Sequence, residues 1–311
     1  MIKTNYKLNI SPLFKAVGIK KSGEINITEH TYAFDPKHPK NYWLHVAFLG
    51  FQKYAKKHKK VTSFATIGTG AGIDAIGAYE IFKPKKIIIT DIHPQIPALA
   101  KMNVQNNVPS NVEVLSLQGD LCQPLIKRKM KVDLVYANIP NLPSDQPPLK
   151  KQANISYYQK RSVRSVPQKF QKYNMTLQYL FLKEAKQIIN KSGAVIDAIG
   201  GRIPYKVLKE LFAATGYKFS ELASVYKLQT EPYFELKGYA EAEKKYGVEF
   251  DFYRYTEAQK HWLKIEKKRL PGPKLKKELK KYRVNATTAY GAYLKYNKQF
   301  GRVSHILCGH L

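Results

Sequence analysis

Five short apolar runs, separated by stretches long enough for a helix, dominate the middle of this 311-residue chain. The runs occupy residues 63–67, 86–90, 112–115, 132–137 and 194–199. Apolar runs of this length are typical of parallel strands that are buried on both faces and joined by crossover helices. Because such crossovers are right-handed, the pattern predicts an α/β fold with a doubly wound, mostly parallel sheet.

The segments that flank these runs divide the chain into three predicted parts. Residues 1–60 combine short helical signals with an aromatic cluster around Trp43, and we interpret them as an N-terminal helical cap. Residues 61–255 contain the sheet, and residues 141–172 within them form a basic insertion after the fourth run. This insertion is either a lid over the ligand crevice, on its acceptor side, or a solvated loop. Residues 256–311 form a basic C-terminal extension.

The formal net charge of +30 bears on the partners of the chain. A surplus of this size attracts phosphate backbones or anionic membrane surfaces. Only eight of the 53 basic residues are arginine, whereas base reading favours arginine over lysine. Nucleic acid is therefore one alternative as a partner, and a solvated basic surface is the other.

The strongest basic run covers residues 264–283, where ten Lys or Arg stand against two glutamates. This run either grips a polyanion or forms a solvated helix pair. Both alternatives place the charges of Lys276, Lys277 and Lys280 at the surface.

Other site classes have little support in the sequence. No stretch approaches the roughly 20 apolar residues that span a bilayer, and the first residues lack the apolar core of a signal peptide. We therefore expect a cytoplasmic protein without membrane insertion. The 2 cysteines and 8 histidines are scattered without ligand spacing, so no metal site is expected. The oligomeric state stays open.

A glycine-rich turn follows the first apolar run, and an acidic residue ends the second. Gly68, Gly70 and Gly72 precede a helix that is expected to begin near Asp74. Glycines allow a tight turn and a close backbone approach, while the free N–H groups of a helix start favour a negative or polar ligand. Asp91 is placed to accept hydrogen bonds from both ribose hydroxyls, which serves NAD and S-adenosylmethionine alike.

The tips of the third and fourth runs separate these two cofactors. Asp120 and Leu121 follow the third run, where a carboxylate and a backbone N–H can bind the edge of an adenine. The fourth run ends in Asn138, Ile139 and Pro140. A polar and proline tip at this position would lie beside a bound sulfonium, which favours S-adenosylmethionine.

From residue 63 to residue 253 the motifs resemble, in order, those of the class I S-adenosylmethionine-dependent methyltransferases. The resemblance implies a Rossmann-like fold with a seven-stranded sheet and S-adenosyl-L-methionine as cofactor. The residues that it places against the cofactor are Gly68, Gly70, Gly72, Asp91, Asp120 and Leu121. The glycines would line the methionine and ribose, the first carboxylate the ribose hydroxyls, and the last two residues the adenine. One departure is Thr66, which stands where the family usually has an acidic residue.

The tetrapeptide Asn138-Ile139-Pro140-Asn141 is similar to the Asn-Pro-Pro-Tyr motif of methyltransferases that modify adenine amino groups and protein glutamine amides. In that motif the asparagine oxygen and the next carbonyl accept hydrogen bonds from an amino group, which orients its lone pair toward the methyl carbon. The resemblance makes Asn138, Ile139 and Pro140 the candidate catalytic residues. Asn141 replaces the stacking aromatic residue of that motif. Stacking on an aromatic ring contributes roughly 1–3 kcal/mol of binding free energy per base, so its loss weakens the case for a nucleobase as acceptor.

A second resemblance covers residues 194–204, which look like the methyltransferase part of plant methionine S-methyltransferases. That family also has an aliphatic-proline-amide tip and an acidic, aromatic segment like residues 248–253, but it lacks an asparagine where Asn138 stands. The chain therefore combines an amide that can orient an N–H donor with a scaffold like one that methylates a thioether.

Three residues are the candidate acceptor ligands: Asn141, Arg202 and Tyr157. Arg202 follows the fifth run, where it either binds a carboxylate or phosphate in a bidentate pair or forms a salt bridge. Tyr157, in the insertion, and Trp43 either close over the site or simply pack. The sequence predicts methyl transfer to a nitrogen or sulfur of a small metabolite. The alternatives are transfer to nucleic acid (rRNA or tRNA) or to a protein glutamine, and a cofactor-binding protein without turnover.

Overall fold

The structure is a computed structural model that describes residues 6–29, 31, 35–58, 60–141 and 165–311. Its strands are β1 (Tyr6–Asn9), β2 (Glu24–Ile27), β3 (Ser63–Ile67), β4 (Lys86–Asp91), β5 (Glu113–Gln118), β6 (Val132–Ala137), β7 (Ile189–Gly200), β8 (Lys218–Leu228), β9 (Phe252–Arg254), β10 (Arg283–Val284) and β11 (Phe300–His310). Its α-helices are α1 (Ser11–Lys15), α2 (Trp43–Lys57), α3 (Ile73–Phe82), α4 (Ile96–Gln105), α5 (Gln123–Lys127), α6 (Gln168–Lys172), α7 (Thr176–Ala185), α8 (Tyr205–Ala214), α9 (Pro232–Tyr246), α10 (Tyr255–Ile265), α11 (Gly272–Glu278) and α12 (Ala286–Tyr296).

One large sheet organises the described part of the chain. Its order is β10-β9-β11-β7-β6-β3-β4-β5, and β8 pairs with the other edge of β11. Strands β3 to β7 run parallel to their neighbours, while β11 is antiparallel to both β7 and β8. The doubly wound, mostly parallel sheet is therefore confirmed. It has nine strands where seven were expected, because β9 and β10 extend the edge beside β11.

The apolar runs form strands because both faces of the sheet are covered. In β4 the side chains of Ile87 and Ile89 pack into one hydrophobic cluster, and Ile88 packs into the other. Phe48 of α2 lies in the first cluster and Phe181 of α7 in the second. A strand between two helical layers is apolar at every position, which explains why these runs do not alternate with polar residues.

Residues 256–311, predicted as an extension, contribute a central strand to this sheet. Strand β11 lies between β7 and β8, and its residues Ile306 and Leu307 are completely buried. Helix α12, which precedes it, is held at its start by Glu243 of α9. The carboxylate of Glu243 accepts hydrogen bonds from the backbone N–H of Ala286 at 2.9 Å and of Thr287 at 2.8 Å. The C-terminal segment is thus integral to the sheet that carries the site.

The N-terminal segment contains a strand pair in addition to helices. Strands β1 and β2 are antiparallel partners, and α1 and α2 contribute Phe14, Phe48 and Phe51 to the same cluster. Within the described ranges, no helix has both the length and the apolar character that crossing a bilayer requires. The described residues also contain no group of three or more His, Cys, Asp or Glu arranged to hold a metal ion.

Candidate functional site

A cavity of about 310 Å³ opens at the carboxyl ends of β3, β4, β6 and β7. Most of the candidate residues line it: Gly68, Gly70, Asp91, Asp120, Leu121, Asn138, Ile139, Pro140, Asn141 and Arg202. Ligand sites in open α/β sheets lie outside the carboxyl ends of the strands, so the cavity is at the expected edge. Tyr157 lies outside the described residues. Trp43, at the start of α2, also lines the cavity, and its ring centroid is 4.0 Å from that of Tyr42.

The glycine turn requires its glycines for two different reasons. Gly68, Gly70 and Gly72 have φ values of +70°, +57° and +85°, a region that other residues rarely adopt. Gly68 and Gly70 face the cavity. Gly72 does not line it, because a methyl group at this position would lie 3.0 Å from the backbone oxygen of Ala100 in α4. Its small size allows α3 and α4 to pack closely, and the predicted contact of Gly72 with the cofactor stays a prediction.

Asp91 lies across the turn from Gly70. Its carboxylate accepts hydrogen bonds from the backbone N–H of Gly70 at 3.1 Å and of His93 at 3.0 Å. Burial raises the pKa of Asp91 above its usual value, although these hydrogen bonds oppose the shift. Each carboxylate oxygen has further lone-pair capacity, so two hydroxyl donors from the cavity can still be accepted.

The turn that follows β5 is held close to Asp91. The backbone N–H of Gly119 donates to the carbonyl oxygen of Asp91 at 2.9 Å. Asp120 and Leu121 follow at the cavity wall, and Leu121 has a positive φ of +45°. This turn places a carboxylate and a buried leucine beside the residue proposed for the ribose.

Asp74 provides a buried carboxylate beside Thr66, at the position where the resemblance implied an acidic residue. The hydroxyl of Thr66 donates to one oxygen of Asp74, and the hydroxyl of Thr69 donates to the other at 2.7 Å. Burial raises the pKa of Asp74 to about 6, although the hydrogen bonds from both threonines lower it. Asp74 lines the cavity from the first turn of α3. The sequence marked it only as a helix start, because its pairing with Thr66 is visible only in three dimensions.

The Asn138 tip is held by two residues that carry no motif. Gln178 of α7 is completely buried, and its side-chain nitrogen donates to the carbonyl oxygen of Ile139 at 3.1 Å and of Pro140 at 3.3 Å. The hydroxyl of Tyr239 donates to the carbonyl oxygen of Asn141 at 2.6 Å. The Ile139 carbonyl, which the motif resemblance assigns to the substrate, therefore already accepts one internal hydrogen bond.

Asn138 itself lines the cavity and is partly exposed to it. Within the described part of the chain, its side-chain amide forms no hydrogen bond. The rigid tip beneath it fixes the backbone, so the amide is positioned while its hydrogen-bonding groups remain available to a ligand.

Arg202 forms the salt bridge that the sequence offered as one of two interpretations. It is 2% exposed, and its guanidinium nitrogen lies 2.6 Å from the Glu235 carboxylate of α9. The same guanidinium lies over the ring of Tyr239, 4.6 Å from its centroid. Two other nitrogens of Arg202, Nε and one Nη, have no partner among the described residues. Arg202 is thus both an ion-pair member and a lining residue with unused donors.

Strand β11 brings further residues to this end of the cavity: Arg302, Ser304 and His305. The imidazole Nδ1 of His305 lies 2.6 Å from the Ser224 hydroxyl and 3.3 Å from the Glu221 carboxylate. Burial lowers the pKa of His305, while Glu221 opposes the shift. Sequence reasoning missed these residues because β11 was assigned to an extension.

The predicted basic surface is only partly exposed. The ammonium of Lys276 donates to the carbonyl oxygen of Ile203 and to the carboxylate of Asp251, both at 2.8 Å. Lys276 therefore ties α11 to the sheet, and its charge is not exposed as expected. Lys277 and Lys280 are exposed, in agreement with the expectation.

A family model matches part of the chain. Residues 46–142 match the family model "Ribosomal protein L11 methyltransferase (PrmA)". A search of curated proteins finds no match.

Three solved structures with similarity to this chain are the following. The ribosomal protein L11 methylase from Lactobacillus delbrueckii subsp. bulgaricus is 18% identical over 60% of this chain and 72% of its own, with a TM-score of 0.40. The precorrin-6y C5,15-methyltransferase from Geobacter metallireducens is 13% identical over 60% of this chain and 79% of its own, with a TM-score of 0.37. An S-adenosylmethionine-dependent methyltransferase from Agrobacterium tumefaciens is 12% identical over 71% of this chain and 63% of its own, with a TM-score of 0.42.

Taken with the sheet and the glycine turn, the family match defines the class of protein. The chain is an S-adenosylmethionine-dependent methyltransferase with a Rossmann-like fold. The match ends at residue 142, directly after the Asn138 tip, and therefore does not include Arg202.

Proposed function

We propose that this enzyme transfers the methyl group of S-adenosylmethionine to a nitrogen or sulfur of a small metabolite. The observation that carries the proposal is the cavity itself, which joins the glycine turn to the Asn138 tip and to Arg202. Its volume of about 310 Å³ lies at the lower end of the range of small-molecule pockets, roughly 300–1,000 Å³. The cofactor shares this volume, so the room left beside Asn138 and Arg202 fits a small acceptor group.

The residues on the β3–β5 side fit the groups of the cofactor. The Asp91 carboxylate is suited to the two ribose hydroxyls, and Asp120 with Leu121 to the adenine edge. Gly68 and Gly70 leave room for the methionine portion. Asp74 is suited to the ammonium of that portion, because it is the carboxylate beside the glycine turn that the hydroxyl of Thr66 orients.

Asn138 is proposed to orient the acceptor. Its side-chain oxygen accepts a hydrogen bond from an acceptor N–H and so directs the nitrogen lone pair at the methyl carbon. The bond from methyl carbon to nitrogen forms as the bond to the sulfonium sulfur breaks, which leaves S-adenosylhomocysteine, and the acceptor proton passes to water. This is catalysis by positioning, and it requires no strong base. A thioether acceptor would be methylated by the same displacement without the hydrogen bond.

Two observations favour a second candidate, a macromolecular acceptor. The matched family is named for methylation of ribosomal protein L11, and the formal charge of +30 suits a ribosomal or nucleic-acid surface. The matched residues stop at 142, however, before β7, β8 and β11 supply the acceptor end. We therefore place this candidate second.

The proposal is tested by incubating the enzyme with methyl-labelled S-adenosylmethionine and a cell extract. We expect label in the small-molecule fraction, and none with the Asp91→Ala variant as the matched control. Label that enters only RNA or only protein at one site would overturn the assignment to a small metabolite and establish the second candidate.

A further inference from the structure

Two arginines from distant parts of the chain converge at the tip of β7. Arg202 follows β7, and Arg302 lies on β11, yet both reach the same point beside Gly200. A methyl group on Gly200 would lie 2.6 Å from one Nη of Arg202 and 3.2 Å from one Nη of Arg302. Both arginines line the cavity at this end. Like charges placed so close repel each other, so some interaction must compensate.

A third cation lies next to them in the sheet. Lys227 of β8 is the register partner of Arg302, and it is only 3% exposed. Burial and the charges of Arg302 and Arg202 lower the pKa of Lys227 well below its usual range. Burial and Arg202 also lower the pKa of Arg302, to about 10. The three groups therefore act on one another electrostatically.

The described residues do not balance these charges. Glu235 is the carboxylate whose charge acts on both Lys227 and Arg302, and it is already paired with Arg202. In the part of the chain that the structure describes, Arg302 and Lys227 form no ion pair, and Arg302 Nε is buried without a partner. Buried charges are costly unless they are paired, and unpaired buried donors add to that cost.

We propose that Arg202, Arg302 and Lys227 form an anion subsite that binds a carboxylate or phosphate group of the methyl acceptor. This inference rests on the proposed function and narrows its substrate class to anionic small molecules. Arginine forks suit both anions, because they donate two parallel hydrogen bonds to a pair of oxygens. The anion would supply the negative charge that Glu235 alone does not provide.

The position in the sheet assigns the subsite to the acceptor. The glycine turn and Asp91 follow β3 and β4, whereas the cations lie on β7, β8 and β11, with the β6 tip of Asn138 between them. The cofactor also has a carboxylate, on its methionine portion. An anion held beyond Asn138 would lie on the far side of the transferred methyl group from the cofactor, which is where an acceptor must approach for in-line displacement.

Calorimetry on the enzyme saturated with S-adenosylhomocysteine tests the subsite directly. Inorganic phosphate and succinate are titrated separately, with neutral succinamide as the uncharged comparison. We expect at least one of the two anions to bind to the wild type and succinamide not to bind. Arg302→Met should weaken the binding of that anion by about tenfold or more. Arg128→Met, at an exposed arginine remote from the cavity, should leave its affinity unchanged.

Three results would overturn the proposal. They are no binding of either anion to the wild type, equal binding by Arg302→Met, and competition between the anion and S-adenosylhomocysteine. The last result would assign the cations to the carboxylate of the cofactor. Because no methyl acceptor is used, the titration can succeed even if the labelling experiment finds a different product.

Thermal unfolding provides a readout that a purely structural cluster would not give. Without an anion, Lys227→Met should raise the Tm, because it removes a buried amine whose protonation is opposed by burial and by the neighbouring arginines. The same variant should lose most of the Tm increase that phosphate or succinate gives the wild type. A lowered Tm together with an unchanged response to the anions would contradict the proposal. Arg302→Lys retains the charge and tests the fork geometry if the methionine variants fold poorly.

Discussion

The two ends of the cavity differ in how completely their polar groups are satisfied. At the cofactor end, the carboxylates of Asp74 and Asp91 accept hydrogen bonds from neighbouring hydroxyl and backbone donors. At the acceptor end, Arg302 and Lys227 form no ion pair within the described residues, and Glu235, whose charge acts on both, is already paired with Arg202. The cofactor end is thus preorganised by its own segment, whereas the acceptor end is completed by its ligand. Variants at the two ends should accordingly affect different measurements.

The largest expected effect is on turnover, through Asn138 at the boundary between the two ends. If the acceptor carries an N–H, Asn138→Ala should lower kcat by about 100-fold, or about 3 kcal/mol of lost positioning. The affinity for S-adenosylhomocysteine should change little, because the cofactor end is intact. Steady-state kinetics on the identified acceptor, together with calorimetry, measure both quantities.

The nature of the acceptor atom decides how this result is interpreted. A thioether donates no hydrogen bond, so Asn138→Ala should then cost far less. Unchanged turnover with a proven N–H acceptor would show that Asn138 does not orient the substrate.

A smaller effect is expected from Gln178, which holds the tip from below. Gln178→Leu removes the hydrogen bonds to the carbonyls of Ile139 and Pro140 and should lower kcat by about tenfold, with KM for S-adenosylmethionine nearly unchanged. Gln178→Met, which keeps a similar length but has no hydrogen-bond donor, is the matched variant and should behave like the leucine. A rise in the KM for S-adenosylmethionine without a fall in kcat would assign Gln178 to cofactor binding. It would also contradict the division of the cavity into two ends at the Asn138 tip.

The raised pKa of Asp74 should make the affinity for the cofactor product depend on pH. Burial raises its pKa to about 6, and only the ionised carboxylate attracts the ammonium of the cofactor. As pH falls below 6, the ionised fraction decreases, so affinity for S-adenosylhomocysteine should fall by up to about tenfold per unit. Above pH 7 it should be flat. Calorimetry from pH 5 to 8 on the wild type and Asp74→Asn measures this, and a wild-type profile that stays flat would exclude Asp74 from this role.

The smallest effect should come from exposed charges outside both ends. Lys274→Glu, Lys277→Glu and Lys280→Glu combined should leave methyl transfer to a small acceptor nearly unchanged, because these side chains are exposed and remote from the cavity. The same change should weaken the nonspecific RNA binding that we expect at low salt. Lys276 is kept, since its ion pair with Asp251 is buried. Loss of methylation in extract by this variant would favour a nucleic-acid acceptor.

The position of the glycine turn and of Asp91 at the cavity could be predicted from the sequence because both are encoded locally. The turn and Asp91 lie within one βαβ unit, where strand, glycine turn and acidic tip follow one another in fixed order. Strands β3 and β6 begin and end where the apolar runs predict, since buried parallel strands are marked by their composition. The role of Asp74 was not predicted, because Thr66 comes within hydrogen-bond distance of it only in the folded turn.

The acceptor end could not be predicted in the same way. Its cations come from β7, β8 and β11, and no local pattern relates Arg202 to Arg302. Strand β11 was not predicted because its apolar run follows a basic helical segment, and composition alone grouped it with that segment. The register of β11 against β7 and β8 supplies the missing relation, and that register depends on long-range pairing.

The most direct test of the account is the binding of S-adenosylhomocysteine to the wild type, Asp91→Ala and Arg302→Met. We predict micromolar affinity for the wild type, on the order of −8 kcal/mol, with no binding of NAD. Asp91→Ala should lose most of this affinity, and Arg302→Met should retain it. Equal affinity for the wild type and Asp91→Ala, or preference for NAD, would contradict the assignment of the β3–β5 end to the cofactor.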